Sequence, residues 1–353
     1  MENGKIRTSS PGVDAEFTPE ILNLDAEAAV GRITAGIRVQ ISGRLKRRGA
    51  VVGISGGIDS SVCAALCVRA LGRENVFGLL MPERDSSPES LTLGTKLSDQ
   101  LGIATAVENI EPALEAARCY DRQIEAIRMV FPEYGPGWKC KIVLPSLLEQ
   151  DRLNVSRLTV LSPSGEFKTA RMPSRAYLQL VAATNYKQRV RKMMEYFHAD
   201  RLNYAVCGTP NRLEYDQGFF VKGGDGAADF KPIAHLYKTQ VYTIGRLLGL
   251  PGEITSSTPK TDTFSLPQSQ EEFYFALPYQ KLDLCLYAHN HGVSEEEAAE
   301  AVGLTPEQVR RVFRDIESKR RATRYLHLPP LVIEPVGEIK EGLREFSEPP
   351  GID

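Results

Sequence analysis

Neither sign of charge is in surplus in this sequence of 353 residues: 43 Lys and Arg face 45 Asp and Glu, a net charge of −2 with a pI near 6.3. A general nucleic-acid binder needs excess cations to neutralise phosphates, so that class is excluded. Cysteine is scarce. Cys63, Cys67, Cys119, Cys140, Cys207 and Cys285 form no C-x-x-C pair, and five histidines are too few to assemble a zinc cluster. The thiols read as reduced residues of a cytoplasmic protein. No apolar run approaches the roughly 20 residues that span a membrane. The N-terminal MENGKIRTSSPGVDAEF has no apolar stretch behind its charges, so it is not read as a secretory leader. Internal repeats and low-complexity segments are absent too. What remains is ordinary globular material, 42% apolar and 25% charged. The length allows one large domain or two at about 150 residues each.

Residues 1–25 read as an N-terminal arm, loose over the first 20, which are polar and carry Pro11 and Pro19. From 26 to 47 apolar residues recur at helical spacing, with a basic end that suits the helix dipole. The run GAVVGI (49–54) is a buried parallel strand, and a helix over 61–71 follows a serine–glycine turn and stops at Gly72. Then come a strand at 76–81, a polar loop at 82–89, a helix at 90–101 stopped by Gly102, and a strand near 104–110. This alternation predicts an α/β fold, a doubly wound parallel sheet with flanking helices. Residues 111–129 read as helical. Residues 130–175 break the rhythm, and within them 156–161 and 167–171 alternate around Pro-Ser-Gly as a hairpin. Beyond lie a helix at 176–199, a strand at 204–208, a Gly- and Asp-rich loop at 209–232, and helices at 237–249, 293–302 and 305–324. The last two imitate a DNA-reading helix-turn-helix, but near-neutral charge favours packed terminal helices. The tail, 331–353, is acidic and proline-bearing and suggests no function.

The strongest local feature is GISGGIDSS at 53–61, where a strand ends and a helix begins. Glycines there let backbone N–H groups approach an anion, and the helix N-terminus adds partial positive charge. Ser55 and Ser60 can donate to phosphate oxygens. Asp59 would be repelled by phosphate and makes sense as a Mg²⁺ ligand. The loop lacks the lysine of a Walker A loop and the G-x-G-x-x-G of a dinucleotide fingerprint. It matches S-G-G-x-D-S, the pyrophosphate loop of ATP pyrophosphatases, which adenylate a substrate and release pyrophosphate.

A second constellation spans 185–241. Asn185, Lys187, Arg189 and Arg191 alternate at a helix start and would, alone, be a solvated basic face. Cys207-Gly-Thr-Pro-Asn-Arg-Leu-Glu214 repeats the strand-then-polar-turn pattern, so Glu214 can meet the same Mg²⁺ as Asp59. Asp225 and Asp229 offer acceptors to ribose or amide groups, and Lys238 offers a cation to the transferred phosphoryl group. His289 and His291 lack a third partner and read as a solvated helix end.

With these motifs the chain resembles the NAD synthetase family of ATP-dependent amidating enzymes, over about 26–330 apart from the insert at 130–175. The resemblance rests on SGGIDS, MPERDSSPES (81–90), N-x-K-x-R-x-R (185–191), GTPNRLE (208–214), GDGAAD (224–229), PIAHLYKTQV (232–241) and SKRRATRYLHLPP (318–330). It implies that Ser55, Gly56, Gly57, Asp59, Ser60, Ser61, Thr209 and Lys238 bind ATP. It also implies that Asp59 and Glu214 hold Mg²⁺, with Lys238 completing the catalytic set. Asn185, Arg189, Tyr196, Asp225 and Asp229 are implied for deamido-NAD, and the loop 82–89 for a mobile cover over ATP. The implied reaction is attack of the nicotinate carboxylate on the α-phosphorus, loss of pyrophosphate, and displacement of AMP by ammonia. A homodimer is implied as well. No glutaminase domain fits in about 25 residues, so glutamine would serve only through a separate subunit.

Three departures from the family stand out. The helix at 26–47 has no aromatic residue, and Val181 occupies another position that is commonly aromatic. Lys260 replaces a hydroxyl in PKTDT (259–263) and either binds ATP phosphate or reshapes the pocket; the following QEEFYF (270–275) also departs. The insert carries Trp138 beside Tyr134 and either alters the acceptor side or decorates the surface. These departures leave two rival readings: amidation of another carboxylic acid in specialised metabolism, or a catalytically retired nucleotide-binding protein. A tRNA-modifying role lacks both cysteine pairs and basic surplus.

Overall fold

The computed structural model describes residues 17–144, 156–261 and 263–334. Helix α1 (Ala26–Arg38) starts at Asp25, whose carboxylate accepts the Ala28 N–H at 3.0 Å, and it buries Ala29, Val30, Ile33 and Ile37. A π turn over Val39–Arg44 extends it. Strand β1 (Ala50–Gly53) leads into α2 (Ile58–Leu71). This helix begins three residues before the expected start, so Asp59, Ser60 and Ser61 lie in its first turn. Next are β2 (Val76–Leu80), α3 (Pro88–Leu101), capped by Ser87, and β3 (Ala104–Val107). The helical stretch expected over 111–129 is formed by two helices, α4 (Glu111–Ala116) and α5 (Cys119–Arg128). They part where Arg118 takes a left-handed φ of 55°, a turn that sends Cys119 inward to the Ala183 carbonyl.

The insert builds a second sheet. Strands β4 (Lys139–Val143), β5 (Arg157–Leu161) and β6 (Phe167–Arg171) are antiparallel in that order, and the expected hairpin is β5–β6. The third strand, β4, was not foreseen. Cys140, Ile142, Leu158 and Val160 pack with Ala126, Ile127, Ala176, Leu180 and Phe264. Helix α6 (Ser174–Leu202) and β7 (Ala205–Cys207) follow. The expected loop at 209–232 contains α7 (Arg212–Gln217), because Asn211 and Glu214 form a reciprocal capping box. The chain continues through α8 (Lys238–Leu247), α9 (Gly252–Thr255), α10 (Tyr279–His291), α11 (Glu295–Val302) and α12 (Pro306–Thr323).

The main sheet runs β3-β2-β1-β7, all parallel. Alternate residues serve its two faces. Ala50, Val52, Val76 and Leu80 join the core with residues of α1, α2 and α8, while Val51, Leu79 and Val206 pack with Ala199 of α6. Burial on both faces explains the near-continuous apolar strands and makes the sheet doubly wound. The chain runs from β1 out to β2 and β3 on one side and returns to β7 on the other. The carboxyl ends of β1 and β7 therefore flank a switch point, where such sheets bind ligands. A third cluster joins Leu286, Val302, Val309, Val312 and Ile316 of α10–α12 to Phe17 and Leu22. The expected loose arm is thus packed from residue 17 onward, with Phe17 and Leu22 buried and the Phe17 N–H bound to Glu297 at 3.1 Å. Residues 1–16, and most of the expected tail, lie outside the described residues.

Candidate active site

The turn after β1 is closed by its own hydroxyls. Ser55 Oγ accepts the Gly57 N–H at 3.3 Å and lies 3.1 Å from Ser60 Oγ. Ser60 Oγ donates to the Gly57 carbonyl at 3.0 Å and accepts the Ser55 N–H at 3.3 Å. Gly56 has φ +76°, and a Cβ there would fall 2.7 Å from the Ser90 carbonyl oxygen. Only glycine passes this close to α3 in that conformation. The result is a ring of N–H and O–H groups on the N-terminus of α2, suited to an anion. Ser61 points elsewhere: fully buried, it donates to the Gly57 carbonyl at 2.8 Å.

Asp59, in the first turn of α2, faces β7's side of the switch point. One of its oxygens pairs with Lys238 Nζ at the start of α8, and the other accepts from Asn211 Nδ2 at 3.0 Å. Glu214, on α7, accepts the Asn211 N–H at 3.1 Å and Gln270 Nε2 at 3.0 Å. Burial, then the charge of Asp59, raises the Glu214 carboxyl to about 8. Burial alone would discharge Lys238, but Asp59 and Glu214 outweigh it, and its ammonium is held more firmly than usual. Beneath Lys238, the fully buried Asp283 of α10 accepts the backbone N–H groups of Lys238 at 3.2 Å and Thr239 at 2.7 Å. It thereby caps α8 from another helix.

A cavity of 490 Å³ opens over these groups. It is lined by Ser55, Gly56, Gly57, Asp59, Ser60, Thr209, Glu214, Lys238 and Lys260 of the expected ATP and catalytic set, and by Asn185 and Asp225 of the expected acceptor set. Lys260 stands at the mouth, paired with Glu89 at 3.0 Å, both exposed. Three expected acceptor residues lie outside this lining. Arg189 is exposed and donates to the Lys222 carbonyl at 3.3 Å. Tyr196 donates to Asp229 at 3.4 Å, and Asp229 also accepts the Val206 N–H at 2.7 Å. The missing aromatic character is supplied from elsewhere. Val181 does line the cavity, and Tyr177, Phe264, Phe273 and Tyr274 line it with Phe219, whose ring stacks on Tyr274 at 4.6 Å. The insert adds Ile142 of β4 to the same wall.

Sequence reasoning missed Asn211, Gln270 and Asp283 as site residues, and the basic face it read at 185–191 is corrected at Lys187, which is buried. Asn211 left a signal, the N-x-x-E of a capping box; Gln270 and Asp283 left none. Two carboxylates with hard oxygen donors, beside a phosphate turn, fit Mg²⁺, which binds through one or two carboxylates plus substrate phosphates. Among the described residues no group of three or more His, Cys, Asp or Glu could hold a metal unaided. His289 pairs with Glu317 at 2.7 Å, and His291 binds the Tyr287 carbonyl.

A sequence model described as NAD synthase matches residues 29–129 and 148–324. The chain is 60% identical to the NH(3)-dependent NAD(+) synthetase of Mesorhizobium japonicum over 318 residues, 90% of this chain and all of that protein. It is 56% identical to that of Rhizobium rhizogenes over 324 residues, 92% of this chain and 98% of that one. Among solved structures, the NH3-dependent NAD synthetase of Campylobacter jejuni superposes with a TM-score of 0.57 at 22% identity, covering 88% of this chain and all of that one.

Proposed function

The chain belongs to the NAD synthase family, and from that premise we propose that it makes NAD by amidating deamido-NAD with ammonia at the expense of ATP. The observation that carries the reading is one cavity holding the Ser55–Ser60 turn with Asp59, Glu214 and Lys238. In this reading the turn grips the outer phosphates of ATP and leaves the α-phosphorus over Lys238. A nicotinate carboxylate oxygen attacks that phosphorus, and the bond to pyrophosphate breaks. Ammonia then adds to the acyl carbon of the adenylate, loses a proton, and expels AMP. Activation is required because a carboxylate is a poor electrophile with no leaving group. Lys238, kept protonated by its carboxylate neighbours, stabilises charge developing on the phosphoryl oxygens, and the enclosing walls hold water away from the adenylate. Asp59 and Glu214 would hold Mg²⁺, which when bound neutralises phosphate charge. Another acid as acceptor is not favoured, given NAD synthetases 56–60% identical over 97–100% of their length.

The same proposal includes a homodimer. Leu178, Met193 and Phe197 on α6 are 65%, 55% and 58% exposed and follow one helical stripe, with Arg189 between them. Tyr196 and Asp229 lie outside the cavity as well, so a second copy packed on α6 would give these acceptor residues a place in a site. Buried free thiols fit a reducing compartment, and we place the protein in the cytoplasm. No helix among the described residues is long and apolar enough to cross a membrane. Ammonia comes free or from a separate glutaminase. The deciding experiment incubates the enzyme with ATP, Mg²⁺, ammonium and deamido-NAD. Equal amounts of AMP, pyrophosphate and NAD are expected; no NAD, with an amide formed from another acid, would reject the reading.

A further inference from the structure

One buried charge in the cavity wall has no part in these steps. Lys187, on α6, is 1% exposed, and its ammonium has three donors, all taken. They go to Glu83 at 3.1 Å, Asp85 at 2.6 Å and the Thr263 carbonyl at 3.0 Å. The second oxygen of Glu83 accepts from Tyr120 Oη at 2.9 Å. Glu83 and Asp85 belong to the loop after β2. Thr263 belongs to the segment 263–275, which also carries Gln270 into the cavity. Burying a cation with its counter-ions is a weak way to gain stability, because desolvation offsets the attraction. What such a cluster does well is fix geometry, since it tolerates no loose partner.

We propose that Lys187 is a positioning residue that makes two walls of the active site close as one body. The loop 82–87 and the segment 263–275 share a single ammonium, so the loop cannot swing out without leaving that charge buried and unpaired, nor the segment without leaving one of its N–H donors unsatisfied. Gln270 carries the coupling on to Glu214, so covering the nucleotide and setting the catalytic carboxylate become one event. This rests on the reading of the cavity as an ATP-dependent amidation site.

Hydrogen exchange on the whole chain, with and without ATP and Mg²⁺, tests it. In the parent protein the nucleotide should protect peptides covering 82–87 and 263–275 together. In Lys187→Met the two should no longer be protected together. Turnover gives a second readout. An adenylate left half covered is hydrolysed, so the ratio of AMP to NAD should rise above one in Lys187→Met. If the fully covered form falls to about a tenth, the KM for ATP rises about tenfold. Asp85→Asn removes one contact and strands less charge, so it should show the same pattern weakly if Lys187→Met does not fold. Joint protection and a ratio of one in either folded variant would overturn the inference. Parent protein that forms NAD yet shows no protection of 82–87 would overturn it too and leave the amidation reading standing. Parent protein that forms no NAD rejects that reading, while the exchange experiment still decides the coupling.

Discussion

Asp283→Asn sets two physical effects against each other at the base of Lys238. Asp283 is wholly buried, which disfavours its charge, yet it accepts two N–H groups at the positive end of α8, which favours it. Burial wins, and its pKa is pushed from 3.8 up to about 7. At pH between these values the unfolded chain has lost the proton and the folded one keeps it. Stability therefore falls as pH rises, by about 1.4 kcal/mol per pH unit, until the folded pKa is passed. From pH 5 to 8 the decline is ~3 kcal/mol, and no solvent reaches the group to screen it. Asparagine keeps the shape and one acceptor but cannot ionise. Its lost acceptor costs about 1 kcal/mol at every pH. Urea unfolding of both proteins across that range isolates the effect, since the other titrating groups are common to the pair. Asp283→Asn should be the less stable protein at pH 5 and the more stable one at pH 8. A stability difference that stays flat, or that favours the parent increasingly as pH rises, would show that the cap outweighs burial and would refute the reasoning.

Two further outcomes are expected. Gly56→Ala puts a Cβ 2.7 Å from the Ser90 carbonyl at a left-handed φ, so it should lose ~1–2 kcal/mol of stability and a larger share of ATP affinity, read from urea unfolding and the KM for ATP. Glu214→Gln replaces a carboxyl already near-neutral at pH 7 without metal, so its melting temperature should stay close to the parent's. Its kcat should nevertheless drop ~100-fold or more, with a higher Mg²⁺ requirement in a titration of AMP release; unchanged Mg²⁺ dependence would remove Glu214 from the metal site.

What could be read from the residues was what their immediate neighbours determine. The phosphate turn is local: two glycines, two hydroxyls and a helix start within eight residues decide it. The strands of the main sheet are likewise legible, because burial on both faces demands unbroken apolar runs. The role of Gln270 was invisible because its partner Glu214 is 56 positions away, and the burial of Lys187 because its partners are 104, 102 and 76 positions away. Helix α7 was missed through overweighting glycine and aspartate in 209–232, although Asn211 and Glu214 signal its start. Strand β4 escaped for a different reason. KCKIV pairs with β5 on one side, and on the other meets 264–272 through Leu266 N–H to the Cys140 carbonyl at 3.0 Å and Leu144 N–H to the Glu272 carbonyl at 2.9 Å. No pattern within five residues announces either neighbour.

That last pairing reaches beyond architecture. The family match stops at 129 and resumes at 148, so β4 lies in the stretch it leaves out. One wall of the cavity, at Ile142, is thus contributed from outside the stretches that the family model matches. The shape of that wall can therefore change while the Ser55–Ser60 turn, Asp59, Glu214 and Lys238 stay as they are.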